Sequence, residues 1–293
     1  MGGFRYLGER EGPQQEPLRD EIGQAFWGGI AATVGTRINN GAFAESFPEQ
    51  CPEYPVSVAT NAEALGQAFR AEHPNVAWPL NEAQVPRTLA ALEAIEFFHL
   101  HVSQVAERGW HDYFRHHHLL RFDRVGGQHE FRDVVNRMFR RNQLAYEIAE
   151  NGEVRRIIQG PLNVILPAGP FNTGDGDLDR LLRQARDRIY DPDLETRRDA
   201  LEKLWDAWER SKTLLDPDKR RGVQELLRAA IAEEPIRTLV ETEGRALTDV
   251  GNQFMIRHAE VDKVPVAESD YIDYLFHRMY SLVWLLLKRT GRL

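Results

Sequence analysis

From Gly176 to the C-terminus the chain offers a polypeptide little choice but helix. Asp177–Tyr190, Asp193–Leu215, Asp216–Glu233, Pro235–Glu260 and Ser269–Arg289 each carry apolar residues at helical spacing and are separated by short polar or proline-bearing links. Every start places an aspartate, proline or serine where a helix N-terminus has unpaired N–H groups and a positive dipole end. Helices of ~14–26 residues joined by short links read as a compact antiparallel bundle.

The N-terminal half is harder to read. Residues 1–85 are broken by Pro13, Pro17, Pro48, Pro52, Pro55, Pro74 and Pro79, and one short helix is expected from Asn61 to Glu72. A stronger helix is expected over Gln84–Arg108 and another over His129–Arg141. Leu144–Ile158 reads as a β-hairpin, with Asn151-Gly152 at the centre of a type I′ turn. Pro161, Pro167, Gly169, Pro170 and Gly174 mark a boundary. The expected fold class is mainly α: a smaller α+β N-terminal domain (1–160) containing the hairpin, and a C-terminal antiparallel helical bundle (172–293).

Composition excludes several classes. One cysteine, Cys51, rules out a disulfide framework and any cysteine-based zinc site, and fits a reducing cytoplasm. A net charge of −8 argues against a general nucleic-acid coat, although it leaves room for a local basic pocket. The longest greasy stretch, Met279–Leu287, is far short of the ~20 residues that span a bilayer, so no membrane role is expected. No secretory signal is visible at the N-terminus. Walker, dinucleotide and nucleophile-elbow motifs are absent, and no cofactor is expected.

The polar residues with chemical potential cluster late in the chain. Asn252, Arg257 and His258 sit on an otherwise apolar run, with Glu260 after them and His277 and Arg278 on the last helix. Arginine clamps a phosphate through several donors, and histidine moves protons near neutrality, which together suffice to cut RNA without a metal. The competing reading is a polar cluster between helices, with Glu260 or Asp262 as ion-pair partners.

Two other groups invite a functional reading. The helix and hairpin over 131–158 resemble the recognition helix and wing of a winged-helix domain, where Arg137, Arg140, Arg141, Arg155 and Arg156 could meet phosphates. A structural or partner-binding module is the alternative. His116-His117-His118, with His111 nearby, reads as a solvated basic helix end; consecutive helical residues cannot converge on one ion, so no metal is expected. Asp175-Gly-Asp-Leu-Asp179 imitates the start of a calcium loop but lacks its glycine and terminal glutamate, and reads as helix capping.

Ala200-Leu-Glu-Lys-Leu-Trp-Asp-Ala-Trp-Glu-Arg210, Gly251-Asn-Gln-Phe-Met-Ile-Arg-His258 and Tyr274-Leu-Phe-His-Arg-Met279 resemble the HEPN superfamily, and Phe139–Glu147 resembles the N-terminal region of abortive-infection proteins of the AbiJ type. The resemblance implies a cytoplasmic anti-phage effector: a metal-independent endoribonuclease or toxin acting on host or phage RNA, and a homodimer. Asn252, Arg257 and His258 would be its catalytic residues, while the arginine position of the family falls on Gly251. The same resemblance allows a catalytically inactive HEPN scaffold that binds RNA or a partner protein in a defence system, with the N-terminal domain as sensor.

Overall fold

The computed structural model describes residues 19–157, 166, 170–254, 256 and 264–293, and the chain divides into a unit ending at Ile157 and a unit beginning at Ile158. The protein is mainly α. No helix among the described residues is long and apolar enough to cross a membrane.

The first unit runs α1 (Gln24–Asn39), β1 (Pro48–Gln50), β2 (Ser57–Thr60), α2 (Ala62–Glu72), α3 (Thr88–His101), β3 (Gln104–His111), β4 (His116–Asp123), α4 (Arg124–Arg141), β5 (Tyr146–Ile148) and β6 (Val154–Arg156). β1, β2, β4 and β3 form a four-stranded sheet in that order, and every pairing is antiparallel. The helices pack around Phe26, Trp27, Phe69, Phe98, Phe131 and Phe139, which are all but inaccessible. Phe26 stacks on Phe139, and Phe69 on Phe98, so aromatic contacts tie α1 to α4 and α2 to α3.

Three elements depart from the sequence reading. Residues 24–39 are helix, not irregular chain; Gly29 lets this helix lie against Met138, whose sulfur sits 3.0 Å from where a Cβ would be. Here glycine serves close packing, which a propensity reading scores as a breaker. The helix expected over 84–108 ends at His101, where Val102 turns extended and Ser103 anchors to the Ala42 carbonyl through its N–H at 2.8 Å. The chain then continues as β3, and β4 follows where a helix end was expected. Asp123 instead caps α4, accepting from the Gly126 N–H at 2.9 Å.

The hairpin β5–β6 lies within the expected span, with Tyr146 opposite Arg156 and Ile148 opposite Val154. Its turn is not type I′, since Gly152 (φ +93°) takes the left-handed region and Asn151 does not. Gly152 also packs on His99, whose Nδ1 would lie 2.6 Å from an added Cβ.

Burial holds the imidazoles of His73, His99 and His101 below their ordinary value of 6.5. The unfolded chain therefore takes up these protons first as pH falls. The stability tied to the neutral rings is present above about pH 6.5 and is lost on acidification below it. Melting of this unit followed at about pH 7.5 and about pH 5.5 should show a lower Tm at the acidic value. A higher Tm there would contradict the burial argument.

The second unit contains α5 (Gly176–Ile189), α6 (Leu194–Ser211), α7 (Lys219–Ala230), α8 (Glu234–Gln253) and α9 (Ser269–Arg289), close to the five expected segments. Asp175, Asp193 and Asp218 cap α5, α6 and α7 by accepting from Leu178, Thr196 and Arg220/Arg221 N–H groups. The calcium-like acidic run is thus a capping device; Arg210 also pairs with Asp175 at 2.7 Å and holds its carboxyl below the usual carboxylate range. The core gathers Leu178, Leu182, Leu204, Trp205, Trp208, Leu247, Phe276, Met279 and Tyr280. At its edge Arg197, 2% exposed, donates to Asp273 and, at 2.8 Å, to Ser269 Oγ, joining α6 to α9.

Candidate functional sites

Two places among the described residues carry side chains with chemical potential. In the second unit, α8 ends at Gln253. Gly251 faces inward, and a Cβ there would lie 2.3 Å from Trp205 Nε1, which donates to the Leu247 carbonyl at 3.0 Å. Asn252, the next residue, is exposed. The backbone at 251 is therefore closed to any side chain while the position beside it opens to solvent. Arg257, His258 and Glu260 lie outside the described residues.

On α9, Arg278 is engaged. Its guanidinium forms a bidentate pair with Glu243 of α8 (Nε to Oε1 3.0 Å, Nη2 to Oε2 3.1 Å) and lies 5.4 Å from the centre of the Tyr274 ring. This geometry fixes α8 against α9, and Arg278 is a structural tie in this arrangement. His277, one residue earlier, is half-buried, and loss of solvation lowers its pKa, with Asp273 opposing the shift. A neutral ring there can accept a proton.

Two of the five arginines expected to meet phosphates on the winged arrangement are committed to carboxylates. Arg156 is buried and bonded to Asp20 (Nε to Oδ1 3.0 Å), so it cannot serve as a phosphate contact. Arg155 is paired across the hairpin with Glu147 at 2.6 Å. Arg140 and Arg141 lie exposed at the end of α4, and Arg137 is half-buried. Around the hairpin turn, Glu150 and Glu153 join Glu72, Glu93 and Glu96 in lining a cavity of about 560 Å³ with His73 and His99. An acidic surface at this turn repels a nucleic-acid backbone.

The second gathering lies at one end of the first unit's sheet. Cys51 follows β1, His111 ends β3, and His116 and His118 open β4. In the β3–β4 register His111 is directly opposite His116, while His117 lies opposite Trp110. Side chains alternate along a strand, so His116 and His118 share a face and His117 takes the other, against the Trp110 ring at 4.9 Å. Arg115, at φ +52°, helps turn the chain between the strands. Two grounds for expecting no metal are thereby removed: the triplet lies on a strand and not on a helix, and one cysteine suffices for a zinc-type donor set when three histidines stand beside it.

One donor atom from each of Cys51, His111, His116 and His118 falls within 4.8 Å of the other three. Cys51 Sγ is 4.0 Å from His111 Nδ1, and the opposite nitrogen of that ring, Nε2, is 3.3 Å from Glu53 Oε2. His116 Nε2 and His118 Nε2 are both buried without a hydrogen-bond partner. Desolvation, then the neighbouring His111 and His116, keep the His118 pKa low. Tyr54 and Phe114 close over the rings, at 5.4 Å from His111 and 5.7 Å from His116 respectively.

Sequence reasoning missed this group because Cys51 joins it only through the folded sheet. The local signal was legible in principle: His116-x-His118 has the period of a strand, and four residues separate His116 from His111 across a turn. No protein-family model, no curated protein and no solved structure matches the chain.

Proposed function

We propose that the second unit is the acting half of a HEPN-type abortive-infection effector that cuts host or phage RNA without a metal. The observation that supports it most is the end of α8, where Asn252, five and six residues before Arg257 and His258 in sequence, is exposed. With position 251 closed to a side chain, the guanidinium that a HEPN nuclease places there has to come from elsewhere, and Arg257, beside His258 in sequence, would supply it. The RNA 2′-hydroxyl would attack the adjacent phosphate, His258 would move the proton, Arg257 would neutralise charge on the phosphorane, and Asn252 would orient one of them. Two copies of the chain would pair and set two such sites across one cleft, in the cytoplasm.

A second reading, an inactive HEPN scaffold that binds RNA or a partner protein, draws on the same glycine and on Arg278, which is held by Glu243. One variant separates them. The full chain should cleave RNA with no added magnesium or manganese, and His258→Ala should slow it by roughly 10²–10⁴-fold with an unchanged melting curve. An unchanged rate in the folded variant would remove His258 from the chemistry. Wild-type protein that binds RNA without cutting it would establish the scaffold.

A further inference from the structure

We propose that Cys51, His111, His116 and His118 form a closed tetrahedral zinc site that clips the β1–β2 connection to the β3–β4 hairpin. The site is independent of the RNA-directed reading of the second unit. Three borderline nitrogens and one sulfur suit Zn²⁺, and four protein ligands leave no open position, which is the pattern of a structural centre. Tetrahedral zinc with bonds of about 2.0–2.3 Å holds its ligands ~3.3–3.6 Å apart. Donors already within 4.8 Å reach that spacing by closing inward by about an ångström, and Cys51 and His111 are nearly there at 4.0 Å.

Proximity alone would not make the case, because histidines also cluster by stacking. Two further features point to an ion. His111 turns Nδ1 to the sulfur and Nε2 to Glu53, the carboxylate–histidine arrangement that fixes the tautomer and orientation of a metal-bound imidazole. His116 Nε2 and His118 Nε2 are buried with no protein partner, an expense that an ion or a proton acceptor would relieve. Cys51 is 5% exposed and binds as the thiolate, giving up its proton to solvent as the metal enters.

The fold gains from such a clip. β1 and β2 are short, and only one residue pair, Ser57 with Leu119, registers β2 on β4. A metal joining residue 51 to residues 111–118 closes a long loop, and its binding energy becomes folding energy. His117, on the opposite face, takes no part.

The test is metal content and cobalt spectroscopy on the full chain, purified under reducing conditions without a metal-chelating resin. About one zinc per chain is expected, and Co²⁺ in its place should give a sulfur-to-cobalt charge-transfer band with intense tetrahedral d–d bands. Cys51→Ser should abolish the charge-transfer band, His118→Ala should lose the metal, and His117→Ala should keep both. Glu53→Gln should weaken binding about 10–100-fold while leaving the cobalt spectrum tetrahedral. Wild-type protein that takes up neither Zn²⁺ nor Co²⁺ overturns the proposal, and this arm does not depend on any variant folding. A cobalt charge-transfer band that survives Cys51→Ser, or metal lost with His117→Ala but kept with His118→Ala, overturns it equally.

Discussion

Gly251→Arg is expected to destabilise the C-terminal unit strongly. A Cβ at this position would meet Trp205 Nε1 at 2.3 Å and Cδ1 at 2.4 Å, and Trp205 is 1% exposed with its N–H committed to the Leu247 carbonyl. An added side chain here forces the helix to shift or the buried ring to leave its hydrogen bond. Overpacking of this kind costs ~1–3 kcal/mol even for a methyl group. A guanidinium driven into the same core adds the cost of burying a charge with no designed partner. The combined loss should exceed ~3 kcal/mol, seen as a lower urea midpoint, with Gly251→Ala falling between it and wild type. A Gly251→Arg protein as stable as wild type would mean that α8 does not approach Trp205 as described.

The second large effect belongs to Arg197 and Asp273. Removing the carboxylate by Asp273→Ala should cost ~3–5 kcal/mol, because the guanidinium, 2% exposed, stays in the core without its main counter-charge. Replacing both, with Arg197→Met and Asp273→Leu, should cost much less, since paired apolar groups of similar size leave no buried charge. Denaturant unfolding of the wild type and both variants checks the order. Equal losses in single and double variants would show that packing, and not the charge pair, sets the stability here.

The helices of the second unit were legible because the information that makes them is local. Asp175, Asp193 and Asp218 announce their starts, and stripes such as Leu178, Leu182, Ala185 and Ile189 announce their buried faces. The first unit withholds both signals. α1 is apolar on several sides and carries glycines that exist to let Met138 and Glu82 approach, a purpose visible only in the fold. β3 and β4 alternate without a clean apolar face, since Glu107, Arg108, Leu120 and Arg121 are exposed and His111, His116 and His118 take the inward positions. Polar residues on the inner face defeat a hydrophobicity pattern. Cys51 is more than fifty residues from His111 in sequence, so only the sheet reveals that they meet. The hairpin arginines were legible as charge but not as partners: Asp20 holds Arg156 and Glu147 holds Arg155.

The chemistry proposed for His258 would leave a signature at the cut ends of RNA. Attack by the 2′-hydroxyl on the adjacent phosphate releases a 5′-hydroxyl on one fragment and a 2′,3′-cyclic phosphate on the other. A metal-activated water leaves a 5′-phosphate and a 3′-hydroxyl instead. Full-length protein incubated with RNA without added divalent ions, followed by determination of both termini, therefore tests the central claim in one measurement. Cyclic phosphate and 5′-hydroxyl ends, absent with His258→Ala, are the predicted result. Ends bearing a 5′-phosphate that form only when magnesium or manganese is supplied would contradict it.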